Sequence, residues 1–161
     1  MIYAVLVAFI GCFLGGLIGK FTKEELKAGL VYFKVLELII LFLLPLVFLY
    51  YSFELVLFAF GIFFGVMFRS EYFYFGFGLF SGLFNNNLTF LGSALVFVYG
   101  LPYGSSLYYK KELRRLIYAL VFFLLPIIVY LLSYDMLSFA AGGLISLFVL
   151  KAGKLIKRDF W

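Results

Sequence analysis

Histidine is absent from this chain of 161 residues, and Cys12 is its single cysteine. Without histidine the chain lacks the commonest metal ligand and general base, and a lone cysteine forms no internal disulfide. These absences argue against haem, zinc and histidine-based catalysis, and no serine has a recognisable base beside it. We therefore expect no cofactor and no enzymatic activity.

Charged residues are also scarce, at 13% of the chain against 66% hydrophobic residues, and the mean hydropathy is +1.17. The charges fall in islands between long apolar runs, which is typical of an integral membrane protein. One crossing needs about 20 residues, so the length leaves no room for a soluble domain. The sequence predicts an all-α, polytopic integral membrane helical bundle with about six to seven transmembrane segments. We expect a single membrane domain over residues 1–161, in the cell membrane.

The basic residues lie at or near the ends of the apolar runs. The net charge of +5 therefore indicates contacts with membrane lipids rather than with nucleic acid. Under the positive-inside rule these ends are cytoplasmic, which predicts an amino terminus outside and a carboxyl terminus in the cytoplasm. The basic residues concerned are Lys20, Lys23, Lys27, Arg69, Lys110, Lys111, Arg114, Arg115, Lys151, Lys154, Lys157 and Arg158.

Three adjacent asparagines, Asn85, Asn86 and Asn87, separate two apolar stretches, residues 70–84 and 88–101. Hydrocarbon satisfies no hydrogen bonds, so this Asn tract is either an outer loop or the unwound middle of a broken helix. If both flanking stretches span the membrane, the chain crosses it about seven times; otherwise it crosses about five times and has a re-entrant helix pair. In the broken-helix interpretation the Asn tract and Thr89 bind a substrate.

The two halves of the chain resemble each other. The sequence Phe-Leu-Leu-Pro occurs at residues 42–45 and again at 123–126, an offset of 81 residues. This predicts one three-helix repeat over residues 1–69, a linking segment over 70–87 and a second repeat over 88–161. Such repeats are typical of secondary transporters, although chance matching between apolar helices is the alternative. The same offset aligns Gly11, Gly19, Ser52, Glu54, Phe58, Ala59 and Gly61 with Gly92, Gly100, Ser133, Asp135, Phe139, Ala140 and Gly142.

Three acidic residues lie in or beside the apolar runs. Glu37 follows Lys34 by one helical turn, so it either pairs with that lysine or couples its charge to a cation or proton. Glu54 and Asp135 begin the third helix of each predicted repeat, near the outer interface. A carboxylate at the amino end of a helix favours its dipole, so capping is preferred to a role in transport for these two.

Glycine and proline predict close packing and bends. Gly11, Gly15 and Gly19 recur every four residues, the spacing that lets membrane helices approach each other closely. Pro45 and Pro126 each fall inside a long apolar run, where proline kinks a helix and can serve as a hinge. A later cluster predicts a turn; it comprises Pro102, Gly104, Ser105 and Ser106.

Two stretches resemble the auxin efflux carrier family of permeases. The first is Gly-Leu-Ile-Gly-Lys-Phe-Thr-Lys-Glu-Glu-Leu-Lys at residues 16–27, followed by an apolar helix ending at Leu44-Pro45. The second is Phe-Asn-Asn-Asn-Leu-Thr-Phe-Leu-Gly at residues 84–92, with an apolar run to Tyr99-Gly100. The resemblance covers about residues 5–101. It implies a broken helix whose polar residues contribute to an anionic-substrate site between a scaffold and a transport domain.

The chain departs from that family in two ways. Family members contain two such halves of five helices, whereas this chain is about one half long, and Ala94 stands where the family has a proline. The resemblance therefore implies a homodimer that completes the site by two-fold symmetry.

Two functions are consistent with these features. The first is a small secondary transporter, acting as a homodimer on a small-molecule or ion substrate that the resemblance implies is anionic. Its site would include the Asn tract and Thr89, with Glu37 as the coupling acid. The alternative is a noncatalytic membrane assembly or lipid-organising subunit, in which the Asn tract is an outer turn and the carboxylates cap helices or form ion pairs.

Overall fold

The computed structural model of the chain describes residues 2–112, 114–132 and 134–159, and within these ranges the secondary structure is helical. Ser133 lies outside the described residues, as do the side chains of Lys23, Lys27, Lys157 and Arg158. A short 3-10 turn occupies Gly82–Phe84. The helices are α1 Ile2–Phe21, α2 Lys23–Tyr51, α3 Leu55–Met67, α4 Glu71–Ser81, α5 Asn86–Tyr109, α6 Arg114–Leu124, α7 Ile127–Leu132 and α8 Leu137–Asp159.

Four segments are long and apolar enough to cross a membrane, judged by length and composition. They are Tyr3–Phe21, Gly29–Tyr51, Asn86–Tyr109 and Leu137–Leu155. Their outward faces carry large apolar side chains that are unsuited to water; Tyr32, for example, is 77% exposed. The predicted all-α character is therefore confirmed for the described residues, and the four long apolar helices are compatible with a multi-pass membrane protein.

Helices α1 and α5 pack against each other in parallel, with glycines at the contact. Gly11 faces the backbone of Phe97, and Gly15 faces the backbone of Leu101. From the other helix, Gly104 faces the backbone of Cys12. The spacing of four residues brings these glycines onto one face, so the two backbones touch.

Helices α3 and α8 form a second parallel pair with the same chemistry. Gly61 faces the carbonyl group of Phe139, and Gly142 faces the carbonyl group of Phe58. These two contacts are reciprocal. The two glycines are 81 residues apart in sequence, and so are the two phenylalanines that they contact. Helix α3 therefore contacts α8 through the same pair of residue types by which α8 contacts α3.

Helices α4 and α5 form an antiparallel hairpin, and the Asn tract is its turn. The rings of Tyr72 and Tyr99 lie 6.1 Å apart, whereas Gly82 lies against Leu88 close to the turn. Helix α4 also runs antiparallel to α8. The single broken helix implied by the family resemblance is therefore wrong, since the chain reverses direction here.

Proline has different effects at its three positions. Pro45 lies within the continuous helix α2, whereas Pro126 falls between α6 and α7 and separates them. The turn predicted at Pro102 is wrong, because α5 continues through it to Tyr109. Packing against α1 explains this: the Ser105 hydroxyl lies 2.7 Å from the carbonyl oxygen of Gly15 and 2.9 Å from that of Leu101, so it hydrogen-bonds within α5 and across to α1.

Candidate functional site

A cavity of about 600 Å³ opens at the end of the bundle that carries the basic islands. It lies between α2, the start of α4 and the parts of α5, α6 and α8 that meet at this end. Its wall combines polar groups with apolar side chains such as Leu38, Phe122 and Leu155. The cavity is thus suited to a solute with both an ionic and an apolar part.

The charges around the cavity are unequal in sign. Six cationic side chains face two carboxylates, which leaves an excess of four positive charges on the wall. Arg115 is partly neutralised by Glu112, at 3.1 Å between Nη1 and Oε2. A cleft lined mainly by one sign of charge attracts ligands of the opposite sign. The cationic residues are Lys34, Arg69, Lys110, Arg115, Lys151 and Lys154, and the carboxylates are Glu37 and Glu71.

Lys151 lies at the centre of a buried cluster on the cavity wall. Its Nζ atom is 2.8 Å from Oε1 of Glu71, 3.4 Å from Oε2 of Glu37 and 2.8 Å from the hydroxyl of Tyr99. Glu71 forms an ion pair with this ammonium, and Glu37 and Tyr99 accept hydrogen bonds from it, so three acceptors surround a group with three N–H donors. The cluster contains two carboxylates and one ammonium, which leaves one excess negative charge within it.

Four helices bring this cluster together. Glu37 comes from the middle of α2, Glu71 is the first residue of α4, Tyr99 comes from α5 and Lys151 from α8. Because α8 runs antiparallel to α2 and α4, its carboxyl-terminal part lies beside both carboxylates. Ionised groups are costly inside a membrane protein unless they are paired, and here each carboxylate has the same cation as its partner.

The predicted pairing of Lys34 with Glu37 is replaced by a pairing across the bundle. Glu37 is 8% exposed and points towards α8, where it meets Lys151. Among the side chains that the structure describes, no ion pair within 4.0 Å joins Lys34 to Glu37. Lys34 lines the same cavity instead. Lys34 and Glu37 are one helical turn apart, as predicted, but tertiary packing brings Lys151 to Glu37 as its partner.

The Asn tract lies at the opposite end of α5 from the cavity. Oδ1 of Asn85 accepts hydrogen bonds from the backbone N–H groups of Asn87 and Leu88, at 3.1 and 3.2 Å, so this side chain caps α5. Asn86 and Asn87 are exposed. The hydroxyl of Thr89 is buried and donates to the carbonyl oxygen of Gly82, at 2.6 Å. These contacts are local ones; substrate binding by the tract stays a prediction.

Asp135 and Glu54 lie near that same end and differ in their contacts. Oδ1 of Asp135 accepts a hydrogen bond of 3.0 Å from the backbone N–H of Leu137, which begins α8. Glu54 precedes α3 but makes no side-chain capping bond. Its backbone N–H donates instead to Oγ of Ser138, at 2.7 Å. The structure therefore joins the starts of α3 and α8, and it gives a capping contact to only one of the two acids.

Sequence reasoning missed Glu71, Tyr99 and Lys151 as members of the site. The sequence places Lys151 among the basic residues predicted to mark a cytoplasmic end, and 114 residues separate it from Glu37. No local spacing connects residues so far apart. The available signal was weak: Glu71 is an acid within an aromatic, apolar stretch, which makes it a suspect in the same way as Glu37.

Comparison of the chain with protein-family models, with curated proteins and with solved structures found no match. The resemblance to auxin efflux carriers therefore rests on the two short stretches alone. The cavity and the buried cluster are the features from which a function can be argued.

Proposed function

We propose that the protein is a small secondary transporter that moves a small organic anion across the cell membrane. The observation that carries this proposal is the cavity with its excess of four positive charges, which reaches an ammonium group inside the bundle. Surface lysines near lipid headgroups would not need a cavity or two buried carboxylates. A basic cleft that also has apolar walls suits an anion with a carbon skeleton.

We also propose that the chain crosses the membrane about seven times, with the amino terminus outside. The support is the alternation of helix directions: α1, α3, α5 and α8 run one way, while α2 and α4 run the other. Helices α3 and α4, with 13 and 11 residues, are shorter than a full span, so they would cross together with the residues that flank them. Helices α6 and α7 together form the remaining crossing, in the direction of α4. The basic end, with the cavity, is then cytoplasmic, and the Asn tract is at the outer surface.

Cysteine labelling tests this topology in a Cys12→Ala background. An Asn86→Cys variant should react with a membrane-impermeant maleimide on intact cells, because the Asn tract is exposed and outside. A Lys20→Cys variant, at the basic end of α1, should react only after the membrane is opened. Reversed labelling, or an Asn86→Cys side chain protected from both sides, contradicts the proposed topology.

A pseudo-two-fold axis through the cavity would explain how one short chain forms a complete site. Four pairs of residues that are 81 apart in sequence line the cavity: Lys34 and Arg115, Glu37 and Tyr118, Leu38 and Ala119, and Ser70 and Lys151. The reciprocal glycine contacts of α3 and α8 have the same offset. These agreements support an internal three-helix repeat whose halves face each other across the anion site.

The first helices of the repeats agree with this arrangement at a different offset. Gly15 faces Leu101 while Gly104 faces Cys12, and this reciprocal contact relates residues that are 89 apart. The alignment of Gly11 with Gly92 does not fit it, since Gly92 faces Leu79 on α4. The offset of 89 residues between α1 and α5 exceeds the offset of 81 residues found in the later helices by eight residues, which is about two helical turns. Helix α2 contains these turns before the part that corresponds to α6.

An internal repeat changes the role of a homodimer. One chain would supply both halves of the cavity, so a second copy is not needed to complete the anion site. The homodimer implied by the family resemblance is then a matter of assembly and has no part in the chemistry of binding.

Anion binding by purified protein tests the proposed function. We expect thermal stabilisation by one or more of sulfate, phosphate, glycerol phosphate, succinate and benzenesulfonate, and exchange of the same anion in proteoliposomes. A Lys34→Gln/Arg69→Gln variant should bind at least about tenfold more weakly, because each lost charge-assisted hydrogen bond is worth about 1.5–3 kcal/mol. Affinity from the concentration dependence of the melting temperature is the measurement.

Two control variants make the result specific to the cavity. Lys20→Gln/Arg114→Gln removes two exposed charges at the same end of the bundle, outside the cavity, and should leave affinity within about twofold. Asn86→Ala/Asn87→Ala should also leave it unchanged. Loss of binding in the asparagine variant would move the site to the Asn tract. A tightly held anionic phospholipid in place of any soluble anion would favour the lipid-organising function.

A further inference from the structure

We propose that binding of the anion is coupled to the uptake of one proton by Glu37. The inference rests on the proposed function, because it concerns the same cavity. It adds a mechanism by which an anion and a proton occupy the site together, as a proton-coupled transporter requires.

Three acceptors already surround the Lys151 ammonium, which has three N–H groups. Glu71 forms an ion pair with it, and Glu37 and Tyr99 accept hydrogen bonds from it, as described above. An anion that reaches this ammonium must therefore replace one of the three acceptors. The contact to Glu37 is the weakest of them, with 3.4 Å between the two atoms against 2.8 Å for Glu71 and Tyr99. Glu37 is the acceptor that the anion displaces.

The environment of a displaced Glu37 is unfavourable for a negative charge. Its side chain is only 10% exposed, and it would then face both the bound anion and Glu71. Burial and neighbouring negative charges both disfavour an ionised carboxylate. A proton from the water in the cavity therefore binds to the displaced carboxylate, while the anion forms the bond to Lys151 that Glu37 gave up. Release of the anion reverses both changes.

The other charged groups at the cavity allow this exchange without supplying the proton. Their cations attract the anion, and the chain contains no histidine, which is the side chain that most readily exchanges a proton near neutral pH. Glu71 keeps its short contact to Lys151. The charged and titratable groups that line the cavity with Glu37 or bond to its partner Lys151 are Lys34 on α2, Arg69 before α4, Glu71 on α4, Tyr99, Tyr103 and Lys110 on α5, Arg115 and Tyr118 on α6, and Lys151 and Lys154 on α8.

The experiment measures protons taken up per anion bound. Sulfate is the probe, because it stays fully ionised over the working pH range and brings no proton of its own. Titration calorimetry in two buffers of different ionisation enthalpy should give about one proton per sulfate for the unmodified protein. Affinity should fall by up to about tenfold for each unit of rising pH.

Two glutamine variants, each similar in shape to the glutamate it replaces, distinguish the roles of the two carboxylates. Glu37→Gln should bind sulfate with no proton uptake and with an affinity that does not change with pH. Glu71→Gln should retain the proton uptake, because Glu37 is still the group displaced. Proton uptake that survives in Glu37→Gln overturns this inference.

The failure of the inference can be told apart from failure of the proposed function. Sulfate binding by the unmodified protein without any proton uptake overturns the coupling and leaves the anion site in place. Absence of binding by all five anions named above, at every pH tested, overturns both. In proteoliposomes, an inward proton gradient should drive sulfate accumulation in the unmodified protein and should fail to do so in Glu37→Gln.

Discussion

A Gly15→Ala variant is expected to lose about 3 kcal/mol of stability, although it adds a single methyl group. The new Cβ atom would meet the carbonyl oxygen of Leu101, and it would lie 2.8 Å from the Cα atom of that residue. Backbone atoms cannot rotate away as a side chain can, so α1 and α5 must separate along their contact. The apparent melting temperature in detergent, followed by size-exclusion fluorescence, is the measurement.

The neighbouring glycine provides a matched control. At Gly16 the nearest atom to an added Cβ is the carbonyl oxygen of Gly104, at 4.0 Å, which is an ordinary contact distance. Gly16→Ala should therefore be neutral or stabilise the protein by up to about 1 kcal/mol, since alanine favours the helix more than glycine does. Equal effects of the two variants would mean that α1 and α5 do not pack in this register.

The sequence allowed half of this result to be predicted. The four-residue spacing of Gly11, Gly15 and Gly19 indicates a close-packing face. Gly16 does not belong to this pattern, so the sequence alone predicts different effects for the two variants. The identity of the partner helix could not be predicted, because α5 is distant in the chain and several apolar helices contain small residues. The same limit explains the wrong turn at Pro102: its local signal was outweighed by packing that only the tertiary structure supplies.

The candidate site was predictable to a smaller extent. Glu37 was identified because an acid inside an apolar helix is costly and needs a reason. Its partner was missed, because a lysine near a helix end can extend towards lipid headgroups or turn into the bundle, and both arrangements have the same sequence. Lys151 turns inwards, where it forms ion pairs with two carboxylates and donates a hydrogen bond to Tyr99. Long-range pairings of this kind leave no local pattern.

The Asn tract illustrates the opposite case, in which a conspicuous pattern has a local explanation. Three asparagines between apolar stretches were consistent with either a binding site or an outer turn. The structure gives Asn85 a capping role at the start of α5 and leaves Asn86 and Asn87 exposed. Asparagine is among the preferred residues for capping a helix, so the first of the three is explained by helix formation alone.

Removal of Lys151 should be the most damaging change at the site. A Lys151→Met variant keeps most of the side-chain volume but leaves Glu37 and Glu71 close together without their common cation. Breaking a buried ion pair by deleting one partner costs about 3–5 kcal/mol, and the lower end applies here because the lysine side chain is 29% exposed. We expect a correspondingly large fall in melting temperature and no anion binding.

A rescue experiment shows whether charge is the cause. Adding Glu37→Gln and Glu71→Gln to Lys151→Met removes the two uncompensated charges, so most of the lost stability should return while anion binding stays absent. Lys154→Met, one turn along α8 on the wall of the same cavity, should cost less than about 1 kcal/mol, because Lys154 is exposed. If the triple variant is no more stable than Lys151→Met, the lysine acts through packing. The buried cluster would then have no role as a charge balance, and exchange of partners at Lys151 would not explain the coupling.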